Sequence, residues 1–320
     1  MIELQQLTKR FGDSEVVKGL TFDVAEGTVL GFLGPNGAGK STTMKMITGF
    51  LEPSAGCARI YGHDVVAERQ SAQSMLGYLP EGAPSYEDMT PQSFLRFIAE
   101  IRGFKGRERD DRVAAVAEEL SIDHVLHQRI ETLSKGFKRR VGLAQAILHD
   151  PRVLILDEPT DGLDPNQKRQ VRDMIKGLAA DKIVVISTHI LEEVAAVCTR
   201  AIIINEGEVV LDEEAESLTR RAEAHGVVSL TINEVAADEI KASCQQLGPN
   251  VAIVSDAPGR YRFKGYVEGG GLAPALIGLA QEKGWHIADF EQEGGALDSL
   301  FAASTGAKHC LLYTSDAADE

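Results

Sequence analysis

The sequence is short of positive charge: 33 Lys and Arg stand against 48 Asp and Glu, a net charge of −15 over 320 residues. A protein that neutralises many phosphates normally shows a basic face, so the composition argues against nucleic acid or an anionic membrane surface as partner. Any anion site must be local. Cysteine is scarce too. Cys57, Cys198, Cys244 and Cys310 lie far apart without CxxC spacing, which fits neither a zinc centre nor a disulfide framework and suits reduced thiols in a cytosol. Long apolar runs are missing: IVVIS at 183–187 and AIIIN at 201–205 fall well short of the roughly 20 residues a membrane helix needs. Met1 leads straight into an amphipathic strand pattern, so the chain is expected neither to span a membrane nor to be exported.

The last eleven residues, CLLYTSDAADE at 310–320, read as foreign, resembling a translated transposon-end adapter from a sequencing library. They are expected to be a non-native tail standing where the natural C-terminus is missing. They hold Asp316, Asp319 and Glu320 and no basic residue, which leaves −12 on residues 1–309.

What is present is a 43% hydrophobic chain, enough to bury one large domain and a smaller one. Up to about residue 215, short β-branched runs such as TVLGFL, VLILD and IVVIS alternate with helical segments, the pattern of a mostly parallel sheet wrapped by helices. Ligands bind such sheets at the C-terminal strand ends. From Pro91 to about Leu120 strand signals vanish, and Phe94, Leu95, Phe97, Ile98 and Ile101 recur at helical spacing, which predicts an all-helical insertion. The charged stretch 212–226 holds a boundary, with a linker at 216–225 and an accessory domain at 226–309. In that second part VVSLTI, VAADEIKASCQQL, VAIVSD, RYRFKGYV, LAPALIGLAQEKG and HIADFEQ follow the βαββαβ order of a small α+β, ferredoxin-like domain.

The chemistry concentrates in two segments. GPNGAGKST at 34–42 follows a strand and opens a helix. Its glycines, Gly34, Gly37 and Gly39, with Pro35, Asn36 and Ala38, let backbone N–H groups wrap a phosphate at a positive helix end; Lys40 reaches the β- and γ-phosphates, Ser41 ligates Mg²⁺, and Thr42 follows. VLILDEP at 153–159 brings Asp157 to a strand end, where it can hold Mg²⁺, and Glu158 next to it suits a general base for an attacking water. The pair predicts a nucleotide enzyme. The chain contains no NKxD sequence, which weighs against a GTPase. LSKGFKRR at 133–140 gathers Lys135, Lys138, Arg139 and Arg140 behind Ser134 and Gly136 at the start of a helix, with Arg140 only 17 residues before Asp157. That helix cannot easily turn back into its own phosphate loop, so its anion is expected on another molecule.

Over residues 1 to about 215 the sequence resembles the ATP-binding subunits of ABC transporters. The family order is matched by Phe11 in an early loop, GPNGAGKST, YLPE at 78–81, LSKG at 133–136, VLILDEP, GLD at 162–164 and STHI at 187–190. The resemblance implies a P-loop NTPase ABC-cassette fold and a head-to-tail dimer, each ATP lying between one subunit's phosphate loop and the other's LSxG helix. It implies that Phe11 stacks on adenine, that His189 contacts the γ-phosphate and the lytic water, that Ser134 and Gly136 bind the partner's γ-phosphate, and that Asp164 couples the two sites. Two departures stand out. Glu81 replaces a metal- and water-sensing glutamine that links to the membrane subunit, and Lys135 and Phe137 replace the glycine and glutamine of LSGGQ. The variant resembles drug, polysaccharide and gliding-motility exporters.

The expected function is therefore a MgATP-hydrolysing subunit that pairs with a second copy or a paralogous subunit. It would drive a separate integral-membrane permease from the cytoplasmic face of a bacterial inner membrane, with no nucleic-acid partner. The alternative is a soluble ABC-type clamp acting in translation or DNA repair; one set of motifs and no sustained heptads weigh against it. His124 and His127 form an HxxH with no carboxylate or cysteine to complete a metal set, which reads as a solvated face.

Overall fold

A computed structural model describes residues 1–82, 86–179, 181–218, 227–233, 235–248, 251–257, 259–265, 267 and 272–293. The foreign-looking tail at 310–320 with Cys310, the end of the accessory domain from 294, and residues 219–225 of the expected linker lie outside the described residues. The chain divides into two compact units, Met1–Glu216 and Ser217–Glu320.

The first unit is built on a six-stranded sheet. Its strands are β3 (Val29–Leu33), β6 (Leu76–Leu79), β7 (Val153–Asp157), β8 (Ile183–Thr188), β9 (Arg200–Asn205) and β10 (Glu208–Glu214), in the order β10-β9-β3-β8-β7-β6. All pairs are parallel except β9 with β10. Every residue of β3, β7 and β8 is buried, because both faces of the sheet are covered; a run without polar alternation is what such strands require. Val153 and Ile155 join one core while Leu154 and Leu156 join the other.

The first core packs the sheet against α1 (Lys40–Ile47) and a second, antiparallel sheet that the sequence pattern did not separate from the parallel one. This sheet has the order β2-β1-β4-β5 and contains β1 (Ile2–Phe11), β2 (Ser14–Val24), β4 (Ala55–Ile60) and β5 (His63–Asp64). The short α2 (Arg69–Ser74) precedes β6. The other core holds α3 (Pro91–Ile101), α4 (Gly106–Glu119), α5 (Lys135–Ile147) and α6 (Pro165–Leu178), with α3 and α4 forming the expected helical insertion. Each of three helices starts where its cap dictates. Thr90, Ser134 and Asp164 accept from the backbone N–H groups of Ser93, Phe137 and Gln167, and proline occupies the first turn of α3 and α6. Another helix, α7 (Leu191–Val197), follows β8.

The second unit contains β11 (Val227–Asn233), α8 (Ala237–Cys244), β12 (Val251–Ala257), β13 (Arg260–Gly265), α9 (Leu272–Lys283) and β14 (His286–Glu293). Its sheet is antiparallel throughout with order β12-β13-β11-β14, the ferredoxin-like arrangement, and Leu230, Phe263, Ile240 and Leu276 are buried at its core.

Candidate active site

The C-terminal ends of β3, β7 and β8 lie side by side, so the phosphate loop, the acidic pair and the histidine loop meet at one sheet edge. A cleft of about 230 Å³ opens there, lined by Pro35, Asn36, Gly37, Gly39, Lys40, Ser41 and Thr42 of the loop together with Val16, Glu81 and Glu158. Gly34 and Ala38 are buried behind the loop. Gly39 has φ +102°, and a Cβ there would lie 2.9 Å from the Val16 carbonyl oxygen, so only glycine lets the chain enter α1 at this angle. A turn from the far side of the sheet supports the loop. Gly207, between β9 and β10, donates to the Ala38 carbonyl at 3.1 Å and accepts from the Lys18 amide of β2 at 2.9 Å.

Lys40 is 6% exposed, donates to the carbonyls of Gly34 at 2.7 Å and Pro35 at 3.2 Å, and has Nζ 3.8 Å from Glu158 Oε1. Burial lowers its pKa, opposed by the charges of Glu158, Asp157 and Glu81. Asp157 is fully buried. Its Oδ1 accepts from Ser41 Oγ at 3.3 Å and from Ser187 Oγ, while Oδ2 has no protein partner among the described residues. Two hard oxygen donors beside an orphaned carboxylate oxygen fit a divalent cation such as Mg²⁺.

Glu158 adopts φ +47°, a left-handed conformation that costs a non-glycine residue roughly 1–3 kcal/mol and that turns its side chain out of the strand direction. Its amide is held by the Ser187 carbonyl at 3.1 Å and Ser187 Oγ at 3.2 Å. The carboxylate oxygens stand 3.1 and 3.2 Å from Nδ1 of the exposed His189. Burial raises the Glu158 pKa, partly offset by its hydrogen bond to His189 and the charge of Lys40. A carboxylate with raised proton affinity, orientated by a histidine and a lysine, has the chemistry of a general base.

The other expected residues are distributed around this centre. Phe11 ends β1, is 51% exposed and has Lys9 Nζ 5.3 Å from its ring centroid; it does not line the cleft. Asp164 caps α6 through Gln167 N at 2.9 Å and is exposed. Ser134 is exposed at the start of α5, Gly136 is buried behind it, and no residue of 133–140 lines the cleft. The four cations of that segment separate. Lys135 is exposed, Lys138 lies 3.5 Å from Glu87, and Arg140 donates to the Leu120 carbonyl. Arg139 turns inward: it is 6% exposed and donates to the carbonyl oxygens of Pro80 and Glu158. Arg139 is therefore not available to an anion on another molecule; its guanidinium ties the helix to the strand end. His124 packs edge-on against Phe137 at 5.2 Å.

The uncharacterized ABC transporter ATP-binding protein YxlF of Bacillus subtilis (strain 168) is 31% identical over 301 residues, which cover 94% of this chain and 98% of YxlF. The chain belongs to the ABC transporter ATP-binding proteins. The family model described as ABC transporter matches residues 17–161. The linearmycin resistance ATP-binding protein LnrL of the same organism is 33% identical over 236 residues, 73% of this chain and 76% of LnrL. A solved structure of an ATP binding subunit of an ABC transporter superposes with a TM-score of 0.63 at 27% identity, covering 77% of this chain and 99% of that one. The cassette is an ABC-family ATPase, and ATP is its nucleotide.

Within the cassette, sequence reasoning missed Val16, Ser187 and Arg139. Val16 carries no signal beyond membership of a strand and Ser187 only its place in STHI, since the fold alone brings β2 against the loop and β8 against β7. A second, larger groove of about 1050 Å³ runs beside the helical insertion, with Phe50, Tyr86 and Ile101 exposed along it. Among the described residues no helix is long and apolar enough to cross a membrane.

Proposed function

We propose that the cassette pairs head to tail with a second copy or a paralogous ATP-binding subunit, closes over two MgATP and drives a separate integral-membrane permease, acting in export. The observation that carries this reading is a division of parts. The phosphate loop and Glu158 line one cleft, with Asp157 bonded to Ser41 and His189 to Glu158, while the exposed Ser134 cap and Gly136 lie outside it and suit a γ-phosphate held by another subunit.

Residues 34–42 wrap the phosphates, with Lys40 released from the loop carbonyls to the β- and γ-phosphates, and Phe11 stacks on adenine. Glu158 takes a proton from water as the water oxygen attacks the γ-phosphorus and ADP leaves; His189 fixes that water and the γ-phosphate. Ser41, Asp157 and Glu81 are the oxygens that would hold Mg²⁺. When bound, the ion offsets the charge of the β- and γ-phosphates. Asp164 couples the two sites across the interface.

The permease docks in the groove beside the insertion, roughly residues 81–105, where exposed aromatics offer an apolar seat. That partner locates the cassette on the cytoplasmic face of a bacterial inner membrane. The resistance function in the name of LnrL supports export. Residues 1–215 form the ATPase domain, 216–225 a linker and 226–309 an accessory domain. Glu158→Gln should slow hydrolysis by about 10²–10⁴-fold and trap ATP-bound dimers on size-exclusion chromatography. Full hydrolysis by that variant would remove Glu158 from the mechanism. Purification from detergent-solubilised membranes with ribosomes or DNA in place of a membrane protein would sink the transporter reading.

A further inference from the structure

Glu193 is a buried carboxylate that none of the chemistry above uses. It lies on α7 and is 4% exposed, and it does not line the nucleotide cleft. Burying a carboxylate costs several kcal/mol before its partners are counted, and a well-packed apolar side chain serves stability at least as well. Its partners indicate a different purpose. Oε1 accepts from Thr160 Oγ1 and lies 3.5 Å from Lys168 Nζ of α6. Oε2 accepts from Thr188 Oγ1 at 2.9 Å, and the same Thr188 oxygen accepts from the Ile190 amide at 3.1 Å. Both threonines are buried.

Each of these contacts ends beside the reacting pair. Thr160 is two residues beyond Glu158, and Thr188 and Ile190 flank His189 on either side. The Glu158–His189 contact therefore spans two loops that are joined on one side through Ser187, which holds the Glu158 amide, and on the other through the Glu193 carboxylate. Strand pairing holds the chain as far as Thr188, opposite Leu33 of β3, and beyond it the histidine loop has left the sheet. The Glu193 carboxylate ties that strand end to Thr160, beside Glu158, and so bears on the angle at which His189 meets Glu158.

We propose that Glu193 is a positioning residue for ATP hydrolysis, a buried brace that sets the geometry of Glu158 and His189 without touching nucleotide. Its hydroxyl partners are matched to a carboxylate, which accepts from both threonines at once. The neighbouring Glu192 is exposed and has no such part. The inference rests on the reading of Glu158 and His189 as the hydrolytic pair.

The test measures kcat and KM for ATP, with kcat counted per nucleotide-binding molecule, for Glu193→Ala, Glu193→Gln and Thr188→Val in the full chain. A misplaced reacting group costs up to about 100-fold, so Glu193→Ala and Thr188→Val should lower kcat by about 10–100-fold while KM stays within about threefold. Glu193→Gln, which keeps shape and one acceptor oxygen, should recover most of that loss. Glu193→Ala combined with Thr188→Val should lose less than the sum of the two single losses, because the Thr188–Glu193 bond is common to both, while Thr188→Val also frees the Ile190 amide. Wild-type kcat in the folded variants, or a loss of ATP affinity equal to the loss of kcat, overturns the proposal. Where Glu193→Ala fails to fold, Thr188→Val, which removes a single hydroxyl, decides it. Glu158→Gln measured in parallel separates the two ideas: a fully active Glu158→Gln sinks the hydrolytic pair, whereas a slow Glu158→Gln beside a fully active Glu193→Ala sinks only the brace.

Discussion

Replacing Arg139 by methionine keeps an unbranched stem and removes the guanidinium that joins α5 to the end of β7. The lost contacts are hydrogen bonds to the carbonyl oxygens of Pro80 and Glu158, in a side chain only 6% exposed. Hydrogen bonds from a charged donor contribute about 1.5–3 kcal/mol each, and methionine escapes part of the cost of burying a charge, which leaves a net loss of about 3 kcal/mol. For a unit of this size that lowers the melting temperature by about 6–12 °C. Scanning calorimetry on the full chain would follow the transition of the ATPase unit separately from that of the second unit. Because the freed carbonyl belongs to Glu158, kcat should also fall by about 10–100-fold even below the transition. An Arg139→Met protein that melts within about 1 °C of the parent and hydrolyses ATP at the parent rate would refute the reasoning.

Three further outcomes follow from the same geometry. The raised proton affinity of Glu158 means that its contribution to stability is present below the ordinary carboxylate range and is lost as pH rises through its elevated pKa. Glu158→Gln should therefore be more stable than the parent in urea titrations at pH 7–8, an advantage that disappears near pH ~4. His149, its pKa pushed down to about 4 by burial and next by the charge of Arg102, stabilises the fold above its ordinary pKa and loses that contribution as pH falls. The loss amounts to about 3 kcal/mol between pH ~6.5 and ~4, and His149→Gln should flatten it in urea titrations across that range. Gly39→Ala should cost roughly 1–3 kcal/mol through its positive φ and weaken binding of a fluorescent ATP analogue; unchanged nucleotide affinity would contradict the assigned loop geometry.

The parts of this molecule legible in the sequence are those in which one local rule decides the outcome. The run VLILD is apolar throughout because β7 is covered on both faces, and Ser134 announces α5 because a hydroxyl satisfies the first free amides. The order of strands and helices after residue 226 was enough to anticipate the antiparallel β12-β13-β11-β14 sheet. What escaped depends on distant chain segments meeting. β1 pairs with β2 and β4 through shifted register, with Gln6 at φ +49°, so its alternation of apolar and polar residues is broken and the separate antiparallel sheet is hidden. Arg139 is one of four neighbouring cations, and only packing makes it the one that turns inward. Glu193 is the second member of an acidic pair at a helix start, a place where a solvated carboxylate is the ordinary expectation.

The Gly207 turn, bonded at once to Ala38 and to Lys18, has a mechanical consequence. The phosphate loop is anchored from behind by a hairpin whose own strand, β10, pairs along β9, so displacing the loop at Ala38 breaks its bond to Gly207 or carries the hairpin with it. The opposite wall of the cleft includes Glu81, just beyond the short strand β6. The loop therefore gives the nucleotide a floor whose shape is held from behind, because two sheets share the Gly207 turn.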